Sequence, residues 1–195
     1  MAIEKYDINE LADNLNPAYG NGVFRRRIRL DGSEECVKAA LEDGAHGFRS
    51  TVLHDGERVT GVKGDSVRVP TTVCPGAVNV IRQLEGVEIG LDSIELARRV
   101  DPRANCTHLY DLTALAIQHA VRGNSVRTWD VIVPDDDTDG RSSISVELNG
   151  HCLHRWTVSN WVITEHDRLG GQSLGKGFTR KLVDLYSGDA LDAAL

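Results

Sequence analysis

Long apolar runs are missing from this 195-residue sequence. A helix that crosses a bilayer needs about 20 consecutive apolar residues, and no stretch here approaches that length. The N-terminus, MAIEKYDINELADN, is acidic, whereas a secretory leader starts basic and turns apolar. No membrane association and a cytoplasmic location are the expectations. Closely spaced cysteines are missing too. Cys36, Cys74, Cys106 and Cys152 form no CxxC pair and no zinc-finger spacing. In a reducing compartment, four scattered thiols are ordinarily buried side chains. There is no GxGxxG fingerprint and no Walker loop. The stretch GGQSLGKGF is glycine-rich but lacks the GK[ST] ending of a phosphate-binding loop. Excess positive charge is absent as well: the formal net charge is −7, which argues against a general nucleic-acid binder.

What the sequence does contain is an ordered change of pattern. Residues 1–22 read as a lead-in that ends in the turn-rich NPAYGNG, and residues 23–195 as one domain. From 23 to 70 the pattern is that of strands. VFRRRIRL alternates and stops at DGS, ECVKAALED stops at GAHG, and FRSTVLHDGERVTGV folds back at Asp55-Gly56. An antiparallel meander of about four strands is expected.

Residues 74–123 are helical in character. PGAVNVIRQLEG has proline at its start and glycine just past its end, the usual helix asymmetry. LDSIELARRV is a second short helix capped by Asp92 or Ser93. In CTHLYDLTALAIQHAVRG, the residues Leu109, Leu112, Leu115 and Ala116 make an apolar stripe, Thr107 or Asn105 is the expected cap, and Gly123 is the stop. Strands return over 126–165, with LNGHCL as a hairpin, and a closing helix is expected over 178–195. The fold class is therefore α+β, with mostly antiparallel sheet from the N- and C-terminal thirds packed around a helical middle.

Taken together, FRRRIRL, ALEDGAHGFRSTVLHDGERVTGV, TTVCPGAVNVIRQLEG, NCTHLYDLTALAIQHA, LNGHCLHRWTVSNWVI and LGKGF resemble a bacterial family known as a domain of unknown function, DUF2889. The CPGA and CTHL…DL blocks are its most specific elements, and the LED..H turn and the HDG hairpin belong to the same pattern. The resemblance implies that these blocks travel together. It implies no established activity.

Two constellations carry candidate chemistry. In LEDGAH, the acids Glu42 and Asp43 precede His46 at a strand-to-strand turn. A carboxylate that orients an imidazole fixes its tautomer and raises its basicity. The alternative is a turn in which Asp43 simply bonds the loop backbone. In CTHLYD, His108 and Asp111 are three apart and share a helical face. Cys106 stands at the helix head, where the macrodipole favours a thiolate. With Cys74, it allows an alternative in which Cys74, Cys106 and His108 are ligands of zinc or iron. Packing of both thiols, a catalytic thiol at Cys106 and a disulfide are the other options.

Among the other polar residues, Arg25 or Arg27 is expected to orient an anionic substrate, because arginine forks bind such groups bidentately. Trp156 is expected as a pocket wall, with Cys106 beside the substrate. His119 reads as a helix C-terminal residue favoured by the dipole. His151 and His154 point to opposite faces of their strand.

The leading expectation is a small-molecule enzyme of bacterial catabolism that needs no organic cofactor. Side-chain acid/base chemistry, of an isomerase, hydratase/lyase or hydrolase type, would run in an apolar pocket between sheet and long helix. His46 with Glu42 or Asp43 would be one catalytic group, and His108 with Asp111 the other. A metal enzyme at Cys74, Cys106 and His108 is one alternative; a non-catalytic ligand-binding or accessory protein is the other. The expected partner is a small-molecule substrate, with a homodimer possible as the assembly.

Overall fold

The computed structural model describes residues 22–72 and 74–195; the expected lead-in otherwise lies outside the described residues. Eight strands, β1 (Val23–Gly32), β2 (Cys36–Glu42), β3 (Gly47–His54), β4 (Val59–Arg68), β5 (Val126–Pro134), β6 (Ser142–Leu148), β7 (His151–Ser159) and β8 (Val162–Glu165), form one sheet. Its order is β4-β3-β2-β1-β5-β6-β7-β8, and every pairing is antiparallel. Two sequential meanders thus meet where β1 pairs with β5. The helical middle carries the chain from the outer strand β4 back to the centre.

The helices are α1 (Ala77–Val80), α2 (Ser93–Arg99), α3 (Thr107–His119), α4 (Phe178–Leu185) and α5 (Gly188–Ala194). Single 3-10 turns, Cys74–Gly76 and Ile81–Leu84, flank α1, so the expected PGAVNVIRQL helix is one α turn between two tighter ones. The closing helix is likewise two helices. Tyr186 and Ser187 are extended, and Gly188 takes φ +55°, which breaks the helical path between them. Among the described residues no helix is long and apolar enough to cross a membrane.

Alternation in β1 to β3 decides what the sheet buries. Ile28 and Leu30, Val37, Ala39 and Leu41, and Phe48 and Val52 point to the helices and are buried. α3 crosses β1, β2 and β3, and its Leu109, Leu112, Ala116 and Ile117 are all fully buried. Burial of each of the leucines and of Ile117 contributes about 1.5–3 kcal/mol. Leu115, expected in the stripe, is only partly buried. Gly64 on β4 lets the helices approach: a Cβ there would lie 3.0 Å from Leu109 Cδ2 and 3.3 Å from Val78 Cα. A second, smaller cluster gathers Trp156, Val158, Ile163, Leu169 and Leu182 under α4 and α5.

Capping follows the sequence at α2, where Asp92 and Glu95 make a reciprocal capping box. At α3 it does not: Cys106 occupies the N-cap position, and no side chain caps the exposed amides. His119 also differs from expectation. It is 1% exposed, its Nε2 donates to the Ser125 carbonyl at 3.0 Å, and burial lowers its pKa. A desolvated, neutral imidazole is no cationic partner for the helix dipole.

Candidate active site

The turn after β2 is organised by one carboxylate. Asp43 continues the inward phase of Val37, Ala39 and Leu41, so its side chain is fully buried (0% exposed), while Glu42 faces outward at 73%. The backbone amides of Ala45 and His46 donate to Asp43 Oδ1 at 2.9 and 2.8 Å. That is the local bonding an aspartate supplies in a tight turn. From β1, Arg26 Nε and Nη2 donate to Oδ2 at 2.9 and 2.7 Å.

His46 Nδ1 lies 3.0 Å from Asp43 Oδ1. An ionised carboxylate only accepts, so the Nδ1 proton is assigned to the imidazole and Nε2 is left as its free nitrogen. Burial pushes the Asp43 pKa up, but the hydrogen bonds from Arg26, the two amides and His46 outweigh it. The net result lies well below the usual carboxylate range.

α3 brings His108 onto this turn. The His46 and His108 rings stack with centroids 3.9 Å apart, and Phe48 lies parallel to both, at 6.2 and 6.4 Å. The Arg26 guanidinium carbon also lies 5.5 Å from the ring of Phe24. His108 has no side-chain hydrogen bond among the described residues. Its pKa falls, first through desolvation, then through the charges of Arg26 and His46, with Asp43 pulling weakly the other way.

Asp111 is raised to about 6, desolvation outweighing Arg26. The residue as a whole is exposed, so access of water makes that figure the upper end of the rise. No hydrogen bond joins Asp111 to His108; both answer instead to Arg26.

The structure therefore brings together His46, Asp43 and His108, with Asp111 in the same field and Cys106 two residues away at the helix head. It does not bring in the others. Glu42 pairs with Arg68 on the outer face at 3.2 Å. Arg25 and Arg27 stand out of phase with Ile28, on the sheet face opposite His46 and His108. Arg27 is tied there to Asp130, Nε to Oδ1 at 2.7 Å and Nη2 to Oδ2 at 3.0 Å. Trp156, on β7, belongs to the second cluster and packs edge-on against Phe178.

Cys74, Cys106 and His108 are not gathered as ligands. Among the described residues no three His, Cys, Asp or Glu side chains are placed to hold a metal ion. Cys74 Sγ instead lies 3.0 Å from Thr71 Oγ1, and all four cysteines are free thiols. The expected apolar pocket between sheet and long helix is occupied by packed side chains. The residue that sequence reasoning missed is Arg26. The period-two phase of Ile28 and Leu30 places it inward, and that phase was the available signal.

A cavity of about 840 Å³ reaches this region from the opposite, open face of the sheet, and Arg26 and Asp43 are on its border. The family model described as "Protein of unknown function (DUF2889)" matches residues 24–122, which span β1 through α3 and hold every member of the cluster. No curated protein and no solved structure matches the chain.

Proposed function

We propose, for a chain that belongs to the DUF2889 family, that His46 and His108 are the acid/base pair of a small-molecule enzyme. The observation that carries this reading is the 3.9 Å stack of two imidazoles in unlike surroundings. One is keyed by a buried carboxylate; the other is hydrogen-bonded to no side chain and is biased toward its neutral form.

Two imidazoles in contact, one bonded to a carboxylate and one not, are two proton-carrying groups that a substrate could meet side by side. Asp43 holds the tautomer of His46 and presents its Nε2. Arg26 fixes Asp43; burial first, and then the charge of Arg26, bias His108 toward its neutral form. The reaction class is proton transfer to or from a small substrate: isomerisation, hydration or dehydration, or hydrolysis. No organic cofactor enters the proposal, and neither nucleic acid nor membrane is a partner. A cytoplasmic location and a homodimer are part of it, the latter tested by light scattering on the eluting protein.

A second reading is non-catalytic ligand binding, favoured by the complete engagement of Asp43. Its two hydrogen bonds from Arg26 also pin the β2–β3 turn to β1. The two readings part on turnover. Protein incubated in D2O with a metabolite extract is followed by NMR and mass spectrometry. Catalysis gives deuterium uptake or conversion of at least one compound, lost in His46→Gln and in His108→Gln. Retention of that turnover by both variants, or its absence from the wild type, removes the acid/base reading.

A further inference from the structure

Outward of the sheet, on the face opposite α1–α5, the side chains are mainly charged, and no described residue covers them. The cavity of about 840 Å³ opens here, and six arginines against four carboxylates border it in a chain of net charge −7. Three of the arginines are neutralised. Arg26 is held by Asp43, Arg27 by Asp130, and Arg68 by Glu42. Arg25 and Arg49 have no side-chain partner among the described residues, and Arg29 has only a 3.3 Å contact with Asp31.

The register places two of these arginines, Arg49 without a side-chain partner and Arg29 with only the long Asp31 contact, around a gap. Arg29 is opposite Ala40 on β2, and Ala40 is opposite Arg49 on β3. Neighbouring strands lie about 4.8 Å apart, so the two arginine stems rise roughly 10 Å apart with only a methyl group between them. Asp65, directly opposite Arg49 on β4, makes no ion pair with it. Glu147, the remaining bordering carboxylate, sits on β6 beyond Asp130, two strands from β1. Among the described residues Asp31 alone touches an arginine of the notch, so the positive charge there is only partly offset.

We propose that the notch over Ala40 binds a small organic dianion, its carboxylate or phosphate groups taken by the forks of Arg29 and Arg49. Arg25, four residues along β1 from Arg29, adds to the field. Guanidinium suits this role because its planar donors match either group bidentately. The ligand enters on the opposite side of the sheet from the imidazole pair, so the site is separate from the one described above.

Titration calorimetry at low ionic strength tests it, with succinate and pyrophosphate as the two probes. Saturable one-site binding of either supports the site, and the probe bound identifies the group. Arg29→Gln and Arg49→Gln should each weaken binding by about ten-fold, the loss of one charge-assisted fork. Ala40→Leu changes no charge but fills the notch, and should weaken binding to a similar extent. Arg98→Gln, an exposed arginine on α2, should change it by less than about two-fold, since the charge lies outside the notch. Urea midpoints check each fold; if Arg49→Gln does not fold, Arg49→Lys removes the fork and keeps the charge. Failure of both probes to saturate, wild-type binding by Ala40→Leu, or equal weakening by Arg98→Gln overturns the proposal.

Discussion

Replacement of Asp43 by asparagine probes the cluster at its centre. The variant keeps the volume of the side chain and one acceptor oxygen, so the amides of Ala45 and His46 retain a partner. What changes is the side toward β1. Arg26 Nε and Nη2, which both donate to Oδ2 at 2.9 and 2.7 Å, would face a carboxamide NH2, donor against donor. Breaking a buried ion pair by removing one partner costs about 3–5 kcal/mol. The Arg26 side chain is 25% exposed, so water recovers part of that, and about 2–4 kcal/mol is the expected loss.

The assay is urea unfolding at neutral pH, with the midpoint falling and the m-value unchanged. The pH dependence has a definite sign. The folded Asp43 pKa lies below its unfolded value of 3.8, so its contribution is fully present above that value and is lost as pH falls through the folded pKa. The deficit of Asp43→Asn should therefore be level from pH 7 to about 5 and shrink in acid. Arg26→Met/Asp43→Leu, with no charge left unpaired, should regain part of the loss. A deficit of Asp43→Asn below about 1 kcal/mol, the worth of an exposed pair, would mean that Arg26 and Asp43 do not act as a buried ion pair.

Three further outcomes follow from the same geometry. His108 should titrate below 6.5 in side-chain NMR, and Arg26→Gln should raise it by removing a positive charge and freeing Asp43; a value at or above 6.5 in the wild type contradicts this. For Asp111 the sign is opposite to that of Asp43. Its folded pKa is raised toward about 6, so wild-type stability contributed by the neutral acid is lost as pH rises from about 4 to 6. Asp111→Asn should gain on the wild type across that window in pH-dependent unfolding, and a loss at pH 7 would count against the desolvation. Thr113→Val orphans the buried Ser50 hydroxyl, 2.8 Å from Thr113 Oγ1, at a cost of about 1–3 kcal/mol. The double variant with Ser50→Ala should be more stable than Thr113→Val alone, as measured in a thermal double-mutant cycle.

The parts legible in the sequence were those set by local rules. Period-two alternation and the Asp55-Gly56 turn exposed the first meander, Asn149 and Gly150 at φ +50° and +79° make the LNGHCL hairpin, and Asp92 announced α2. The junction of β1 with β5 was not legible, because it pairs residues about a hundred positions apart and no turn signal marks it. The break at Ser187-Gly188 was hidden in a stretch of good helix formers around a single glycine.

Within the site, the turn and the long helix each stood out in the sequence, but their meeting did not, and the stack of His46 on His108 is the contact they make. The choice among adjacent charges depended on strand phase. Asp43 and Arg26 point inward with Leu41 and Ile28, whereas Glu42, Arg25 and Arg27 point outward. Ile28 and Leu30 carried that phase, but three arginines in a row obscured it. The neutral character of His119 was not readable, since it arises from burial against Gly32 and Ser125.

The central claim, that the imidazole stack moves protons on a substrate, is tested most directly by deuterium incorporation from D2O into metabolites, compared across wild type, His46→Gln and His108→Gln at matched folded fraction. Wild-type protein should give incorporation or conversion, and each variant should lower it at least about a hundred-fold, the usual weight of a general acid or base. Undiminished incorporation by both variants, or none above the protein-free rate in the wild type, would contradict it.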